Sequence, residues 1–265
     1  PVGEEFRVNS YTSSNQYNPE VVGLKGGGFV VTWRDSSGHD GGSSNDVWAR
    51  VFNADGTESV EEFRVNADHY SGSQYQPSVG ALSNGDFVVA WRDDSGGSHN
   101  DGTGTGSGYD VWARILNADG TEVVDEFRVN SYTSSSQYEP EVVGLKGGGF
   151  VVTWRDDSGH DGGSGADIWA QMYSNDGSVT LPDFRVNTYT SSTQQDPSIV
   201  ALEDGGFVVT WESSGQDSDG YGIYGQRYDV NGAAVGEEFQ AHTETYSQQY
   251  DPTVAASADG GFVVA

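Results

Sequence analysis

The sequence predicts an all-β fold: a β-propeller-like array of four-stranded antiparallel blades, with about five repeats of which the last is incomplete. One repeated segment, Glu/Asp-Phe-Arg-Val-Asn, has its phenylalanines 57, 64, 57 and 55 residues apart, the last copy being degenerate: Phe6, Phe63, Phe127, Phe184 and Phe239. A second segment, Gly-Phe-Val-Val with one Asp-Phe-Val-Val variant, recurs once in each repeat. No stretch has the apolar spacing of an amphipathic helix. Repetition at a nearly constant period indicates one supersecondary unit set side by side.

Each repeat contains four segments that are typical of strands, called a, b, c and d. In the third copy, strand a covers 137–145 and carries Pro140 near its start, where no ladder donor is required. Strand b, at 150–155, is rich in the β-branched and aromatic residues that strands favour. Strands c (167–173) and d (183–187) alternate large and polar residues. A glycine-rich turn, a Gly/Asp/Ser loop and an Asn-Asp-Gly turn join them.

The repeats predict one continuous array over residues 1–265 rather than separate domains. The copies cover approximately 10–66, 67–130, 131–187, 188–242 and, in part, 243–265, with 1–9 as a strand that closes the ring in the last blade. A string of small β-sandwiches is disfavoured, since one repeat is too short to hold a core alone. A solenoid is disfavoured because solenoid coils are usually shorter. The sequence leaves open whether the ring has five blades or more.

Composition excludes several classes of function. The formal net charge is −28 with a pI of about 4.1, which is the opposite of the basic footprint that nucleic acids and anionic membranes require. No apolar run is long enough for membrane insertion. The chain has no cysteine, so disulfides and thiolate zinc sites are excluded. An acidic, glycine-rich, cysteine-free repeat protein fits bacterial secretion.

The segments 206–217 (Gly-Phe-Val-Val-Thr-Trp-Glu-Ser-Ser-Gly-Gln-Asp), 222–229 (Gly-Ile-Tyr-Gly-Gln-Arg-Tyr-Asp) and Glu-Phe-Arg-Val-Asn resemble repeats of very large secreted bacterial proteins. Those proteins often carry RTX-type calcium repeats and act as adhesins, biofilm or surface proteins. The resemblance covers nearly the full length. It implies an extracellular or cell-surface location and a non-catalytic structural or adhesive module. Its expected partners are a cell-surface or matrix glycan or protein, and self-association is open.

The loop between strands b and c is the candidate metal site. Clustered carboxylates between glycine and serine suit Ca²⁺, which takes six to eight oxygen ligands. Residues 162–170 also fit the calcium nonapeptide Gly-Gly-x-Gly-x-Asp, although the window stands alone rather than in tandem. The alternative is a solvated loop whose aspartates cap strand c. The candidate ligands are Asp35, Asp40, Asp46, Asp101, Asp110, Asp156, Asp161, Asp167, Asp217 and Asp219.

Two further sets of side chains recur in register. Arg34, Arg92 and Arg155 follow the tryptophan of strand b, which predicts structural pairing with carboxylates or, alternatively, an anion or acidic-glycan pocket. A glutamine lies three residues before the proline of each strand a: Gln16, Gln74, Gln137, Gln194 and Gln249. These amides can satisfy loop backbone groups, or they can bind sugars beside neighbouring tyrosines, as in a multivalent lectin-like propeller.

The sequence offers no recognised catalytic motif. It lacks His-Glu-x-x-His, Gly-x-Ser-x-Gly and a phosphate-binding loop. Near-identical copies also provide little of the asymmetry that catalysis needs, so the prediction is a protein that is not an enzyme. A polysaccharide-degrading fragment, with a site where the b–c loops differ, is the remaining alternative.

Overall fold

A computed structural model describes residues 4–39, 41, 45–67, 72–95, 108–217, 220–243 and 246–265. Within these ranges no helix is long and apolar enough to cross a bilayer. The strands, in chain order, are β1 (Gln16–Gly23), β2 (Phe29–Asp35), β3 (Asp46–Phe52), β4 (Glu58–Arg64), β5 (Gln74–Ala81), β6 (Phe87–Asp93), β7 (Asp110–Leu116), β8 (Glu122–Arg128), β9 (Gln137–Gly144), β10 (Phe150–Asp156), β11 (Asp167–Tyr173), β12 (Val179–Arg185), β13 (Gln194–Ala201), β14 (Phe207–Ser214), β15 (Tyr221–Tyr228), β16 (Phe239–Gln240), β17 (Val254–Ala256) and β18 (Phe262–Val264).

The strands form five antiparallel sheets, which we call blades 1 to 5. Blades 1 to 4 have four strands each, in the order β1–β4, β5–β8, β9–β12 and β13–β16, and blade 5 has the pair β17–β18 among the described residues. Neighbouring strands are consecutive in the chain, so each blade is a simple meander. The expectation of four-stranded antiparallel blades in an all-β propeller is confirmed.

The core lies between the blades and is built from equivalent layers. Strand b of each complete blade is buried on both faces, and Trp91, Trp154 and Trp211 are almost fully buried. One apolar cluster joins Val47 of blade 1 to Phe87 of blade 2, and similar clusters join blades 2 and 3 and blades 3 and 4. The sheets are thus held together by apolar packing face to face, as in a propeller.

A polar contact joins each of the four-stranded blades to the chain that precedes it. A side chain on strand c donates to a carbonyl just after strand d of the previous blade: Arg114 to Val65 (2.7 Å), Tyr173 to Val129 (3.4 Å) and Tyr228 to Val186 (3.0 Å). In blade 1, Arg50 donates in the same way to the carbonyl of Val8 at 2.6 Å. Residues 4–9 therefore contact blade 1 in the same way that the residues after strand d of one blade contact the following blade. They form no described strand, so the closing strand at 1–9 stays a prediction.

Candidate active site at the propeller axis

The five blades meet at an axial pocket of about 250 Å³. Its walls are the a-strand segments on either side of each repeated proline: Asn18, Glu20, Gln76, Pro77, Glu139, Pro140, Glu141, Asp196, Pro197, Asp251 and Pro252. Segments of all five blades, the first and the fifth included, line this one pocket. Five of the lining residues are carboxylic acids, so the pocket is strongly acidic.

A β-bulge in strand a aims these side chains. The register of β1 on β2 shifts between Tyr17 and Glu20, and strands β5, β9 and β13 shift at the equivalent place. The residue before each proline has a left-handed backbone, with φ between 50° and 54°: Asn18, Gln76, Glu139, Asp196 and Asp251. Such a conformation is uncommon for residues other than glycine and disfavoured before proline, and strain of this kind clusters at functional sites.

Hydrogen bonds between blades hold the strained residues. The amide of Asp196 donates to Oε2 of Glu139 at 2.8 Å, across the contact between blades 3 and 4. The amide of Asp251 donates to Oε1 of Glu212 at 2.7 Å, across the contact between blades 4 and 5. A carboxylate of one blade thus binds the backbone of the next, which fixes the axial side chains relative to one another.

Glu141 is the most perturbed acid of the pocket. Burial raises its pKa to about 7, and the charge of Glu20 acts in the same direction. Ser78 opposes the shift, since its hydroxyl donates to Oε2 of Glu141 at 3.0 Å. Glu141 therefore keeps its proton at pH values where most carboxyl groups are ionised, as a general acid must.

The carboxylates beside Glu141 have a different environment. Burial raises the pKa of Glu139 and of Asp196, while the Arg155 guanidinium favours the ionised form of both. Arg155 lies 3.7 Å from Oε1 of Glu139, and Gln195 donates to Asp196 at 3.0 Å. The pocket thus combines one carboxyl group that retains a proton with others that a cation and an amide stabilise as anions. Such a pair can donate and accept protons on one bound molecule.

The structure places most of the predicted calcium ligands away from the axis. Aspartates at the end of strand b and the start of strand c face each other, as Asp156 and Asp167 do in blade 3. Asn187 donates to Asp167 at 2.6 Å, and Gln137 donates to Asp156 at 3.2 Å. Equivalent amides bind the counterparts in blades 1 and 2: Gln16 to Asp35, Asn66 to Asp46 and Asn130 to Asp110. These carboxylates have a structural role between strands b, c and d.

The remaining candidate ligands are scattered. Asp161 pairs with Arg185, and Asp217 lies 3.7 Å from Nε2 of His242. Asp40, Asp101 and Asp219 lie outside the described residues. In the part of the chain that the structure describes, no group of three or more His, Cys, Asp or Glu side chains could hold a metal ion. Calcium binding stays a prediction, and the axis, which sequence reasoning passed over, is the better-defined site.

Comparison with known proteins identifies the fold. An α-L-arabinofuranosidase from Fusarium graminearum, solved with an iminosugar inhibitor, matches with a TM-score of 0.63 and 12% identity over 97% of this chain and 76% of that one. An α-L-arabinanase from Penicillium chrysogenum, complexed with arabinobiose, matches with a TM-score of 0.59 and 16% identity, covering 97% and 76%. The chain has a β-propeller fold. No protein-family model and no curated protein matches it.

These findings correct the interpretation drawn from the repeats. The resemblance to RTX-type adhesins is wrong, and so are the non-catalytic adhesive module and the exclusion of an enzyme, because the matching structures are described as α-L-arabinofuranosidases and an α-L-arabinanase. The repeated segments encode the strands and turns of a blade, which propellers of different function share. The argument against catalysis also assumed equivalent copies, whereas the axial residues differ from blade to blade.

The remaining expectations concern partners and location. The arabinobiose in one matching structure agrees in part with a glycan partner. A protein partner, self-association and the extracellular or cell-surface location stay predictions. A sequence signal for part of the site is the residue before each repeated proline, which reads Asn, Gln, Glu, Asp and Asp along the chain. Glu141 follows its proline and lies outside this signal. Variation at a fixed position inside a repeat marks a position that the architecture itself does not dictate.

Proposed function

We propose that the protein is a glycoside hydrolase whose active site is the axial pocket. The observation that carries the proposal is Glu141, a carboxyl group with a pKa of about 7 among other acids at the point where the blades meet. The enzymatic descriptions of the matching propellers support it. Because two of those folds were solved with a sugar or a sugar mimic, arabino-oligosaccharides are the first substrates to test.

The proposal gives the acids distinct roles. Hydrolysis of a glycosidic bond uses one carboxylic acid to protonate the leaving oxygen and a second carboxylate that acts from the other side of the sugar. Glu141 is the proton donor, because burial keeps it protonated near neutral pH. Asp196 is the second carboxylate and activates the attacking water. Glu139 is a positioning residue, since its carboxylate binds the Asp196 amide and faces Arg155.

Kinetic assays on arabinan and arabino-oligosaccharides test the assignment. Glu141→Gln and Asp196→Asn should each lower kcat by about a hundredfold or more, the usual contribution of a general acid or base. Asp176→Asn is the matched control, because Asp176 lies in an exposed turn that binds Ser174 and Ser178. Activity that survives in both axial variants, or no cleavage by the wild type across neutral and acidic polysaccharides, would overturn the proposal. Binding without cleavage would instead support a lectin-like propeller.

A further inference from the structure

Blade 4 differs from the preceding blades in one pair of residues beside the axis. In blades 1 to 3 a tyrosine of strand a lies opposite an arginine of strand b: Tyr17 and Arg34, Tyr75 and Arg92, Tyr138 and Arg155. In blade 4 both members are exchanged, since Gln195 lies opposite Glu212. An amide and a carboxyl group thus replace a ring and a cation next to the axial residue Asp196.

The exchanged pair contacts the axial acid directly. Nε2 of Gln195 donates to Oε2 of Glu212 at 3.0 Å and to Oδ2 of Asp196 at 3.0 Å. An amide nitrogen carries two hydrogens, so it can make both bonds at once. Because Glu212 is 1% exposed, it holds the amide from inside the blade, and the second hydrogen is left for Asp196.

Glu212 also makes a bond that the axial acid makes in blade 3. There the carboxylate of Glu139 accepts from the Asp196 amide, which links blades 3 and 4. At the next contact the Asp251 amide donates to Oε1 of Glu212 at 2.7 Å, although Asp196 occupies the position before the proline that Glu139 has in blade 3. Blades 4 and 5 are therefore linked from strand b, and the carboxylate of Asp196 does not make this link.

We propose that Gln195 and Glu212 are positioning residues for Asp196, the second carboxylate of the proposed hydrolase. Glu212 orients the Gln195 amide and holds the Asp251 backbone, and Gln195 in turn holds the Asp196 carboxylate at the wall of the pocket. The inference rests on the proposed function for the role of Asp196 in hydrolysis, whereas the contacts among the three side chains are independent of it.

The amide has a defined effect on the charge of Asp196. Burial raises the pKa of Asp196, and the hydrogen bond from Gln195 opposes this shift because it stabilises the ionised form. The charged groups that face Asp196 come from β9, β10, β14 and the segment before β17: Glu139, Arg155, Glu212 and Asp251. Arg155 is the cation of this set. Gln195 adds an uncharged donor that helps Asp196 to stay ionised and able to take a proton from water.

Carbon-13 NMR titration of the side-chain carboxyl groups tests the pair without a substrate. The Asp196 signal is assigned by its absence in Asp196→Asn. Gln195→Tyr replaces the amide by the side chain that the other four copies carry at this position, which is compatible with the blade. It should raise the pKa of Asp196 by about 1, because the ionised form loses a hydrogen-bond donor.

Two further variants frame this measurement. Gln195→Leu deletes the amide without adding a hydroxyl group and should raise the pKa of Asp196 in the same way. Tyr17→Gln is the matched control, because it makes the same type of exchange at the equivalent position of blade 1, beside the neutral Asn18. It should leave the pKa of Asp196 unchanged.

Glu212→Gln tests the other half of the pair. Its single carbonyl oxygen can accept from the Gln195 amide or from the Asp251 amide, whereas the carboxylate accepts from both. At least one of these two N–H groups should therefore exchange its hydrogen with solvent about tenfold faster than in the wild type. Hydrogen exchange followed by NMR measures both groups in one experiment.

Kinetics on arabino-oligosaccharides connects the pair to catalysis. Gln195→Tyr should lower kcat roughly tenfold or more and leave KM nearly unchanged, since a displaced catalytic group slows the reaction without weakening binding. The acid limb of the kcat/KM profile should move to higher pH by as much as the pKa of Asp196 rises, which a merely structural role would not produce.

The outcomes separate the two proposals. An unchanged or lowered pKa of Asp196 in folded Gln195→Tyr and Gln195→Leu would overturn the role of Gln195, and unchanged exchange at both N–H groups in Glu212→Gln would overturn that of Glu212. If the wild type cleaves no glycoside while the pKa of Asp196 rises in the variants, only the hydrolase fails. If Gln195→Tyr cleaves with the kcat and pH profile of the wild type, only the positioning pair fails.

Discussion

The residue before each repeated proline is the position at which the equivalent axial segments differ in chemistry. Five equivalent positions have nearly the same left-handed backbone but hold Asn18, Gln76, Glu139, Asp196 and Asp251. The bulge orients the side chain at this position in the same way in every blade, while the type of side chain differs. The repeat thus supplies a scaffold on which acids, amides and an arginine partner are distributed asymmetrically around one pocket.

Glu141 should couple protein stability to pH. Burial raises its pKa from 4.5 to about 7 in the folded protein, so the unfolded chain ionises first as pH rises. The free energy of unfolding should therefore fall between about pH 4.5 and pH 7 and then level off. Glu141→Gln should reduce this dependence and, at pH 8, be more stable than the wild type by up to about 3 kcal/mol.

Urea denaturation at pH 4.5 and pH 8 measures the effect. Glu61→Gln, at an exposed position on β4, serves as the control and should keep the wild-type dependence. If Glu141→Gln loses as much stability as the wild type between these pH values, burial does not raise the pKa of Glu141.

A buried asparagine closes the polar network of blades 1 to 3: Asn66, Asn130 and Asn187. Asn187 is 1% exposed, accepts from the Ile168 amide at 2.7 Å and donates to Asp167 at 2.6 Å. Asn187→Ala should destabilise the protein by about 2–4 kcal/mol, because a buried amide and a carboxylate lose their partners. Thermal or urea unfolding measures the loss. Asn15→Ala, on an exposed loop, should change the stability by less than about 0.5 kcal/mol.

At the scale of elements, the a strands determine how closely the blades approach. A Cβ added at Gly144, the last residue of β9, would lie 1.9 Å from the carbonyl oxygen of Ala81 in blade 2. The equivalent Gly23 of blade 1 has nothing within 4 Å of its added Cβ. Strand β1 is also largely exposed, whereas β5 is largely buried. The same sequence position is therefore a contact between blades in one copy and a surface position in another.

This difference gives a matched pair of substitutions. Gly144→Ala should force blades 2 and 3 apart and cost about 1–3 kcal/mol of stability, the usual range for overpacked cores. Gly23→Ala should leave stability within about 0.5 kcal/mol of the wild type. Chemical denaturation compares the two variants. Equal costs at both positions would mean that blades 1 and 3 have the same packing, contrary to the structure.

At the scale of the whole molecule, charge is the dominant property. A net charge of −28 on 265 residues places many like charges around a compact propeller. Because salt screens exposed charges over about 8–10 Å, raising NaCl from low concentration to about 0.5 M should raise Tm by several degrees. Scanning calorimetry at constant pH measures the shift. An unchanged or falling Tm would mean that repulsion between the acids does not limit stability.

Calcium gives a second prediction at this scale. If the b–c loops bind Ca²⁺ as the sequence predicts, millimolar CaCl₂ should raise Tm beyond the effect of NaCl at the same ionic strength, because a ligand that binds only the folded state stabilises it. Mg²⁺ is the control, since it demands a smaller octahedral site. Asp161→Asn tests one loop directly. Identical melting curves with Ca²⁺, Mg²⁺ and NaCl would refute the site.

The prediction from sequence succeeded where the information is local. The tryptophans, glycine turns and prolines recur at fixed intervals. Each of these markers lies in a particular strand or turn of the repeat, so four strands per blade could be deduced from the sequence. The interpretation of function failed because the repeated segments describe the architecture. The predicted ligands Asp156 and Asp167 proved to bind Gln137 and Asn187, since an aspartate at a strand end serves structure as readily as a metal.

By itself, the sequence determined the repeat, the strands and the acidic character of the surface, because neighbouring residues fix hydrogen-bond direction, turn type and charge. Only the tertiary structure decided that Glu20, Glu141, Asp196 and Asp251 share one pocket. These residues come from different repeats and meet only when the ring forms. The raised pKa of Glu141 has the same origin, since burial by neighbouring blades produces it.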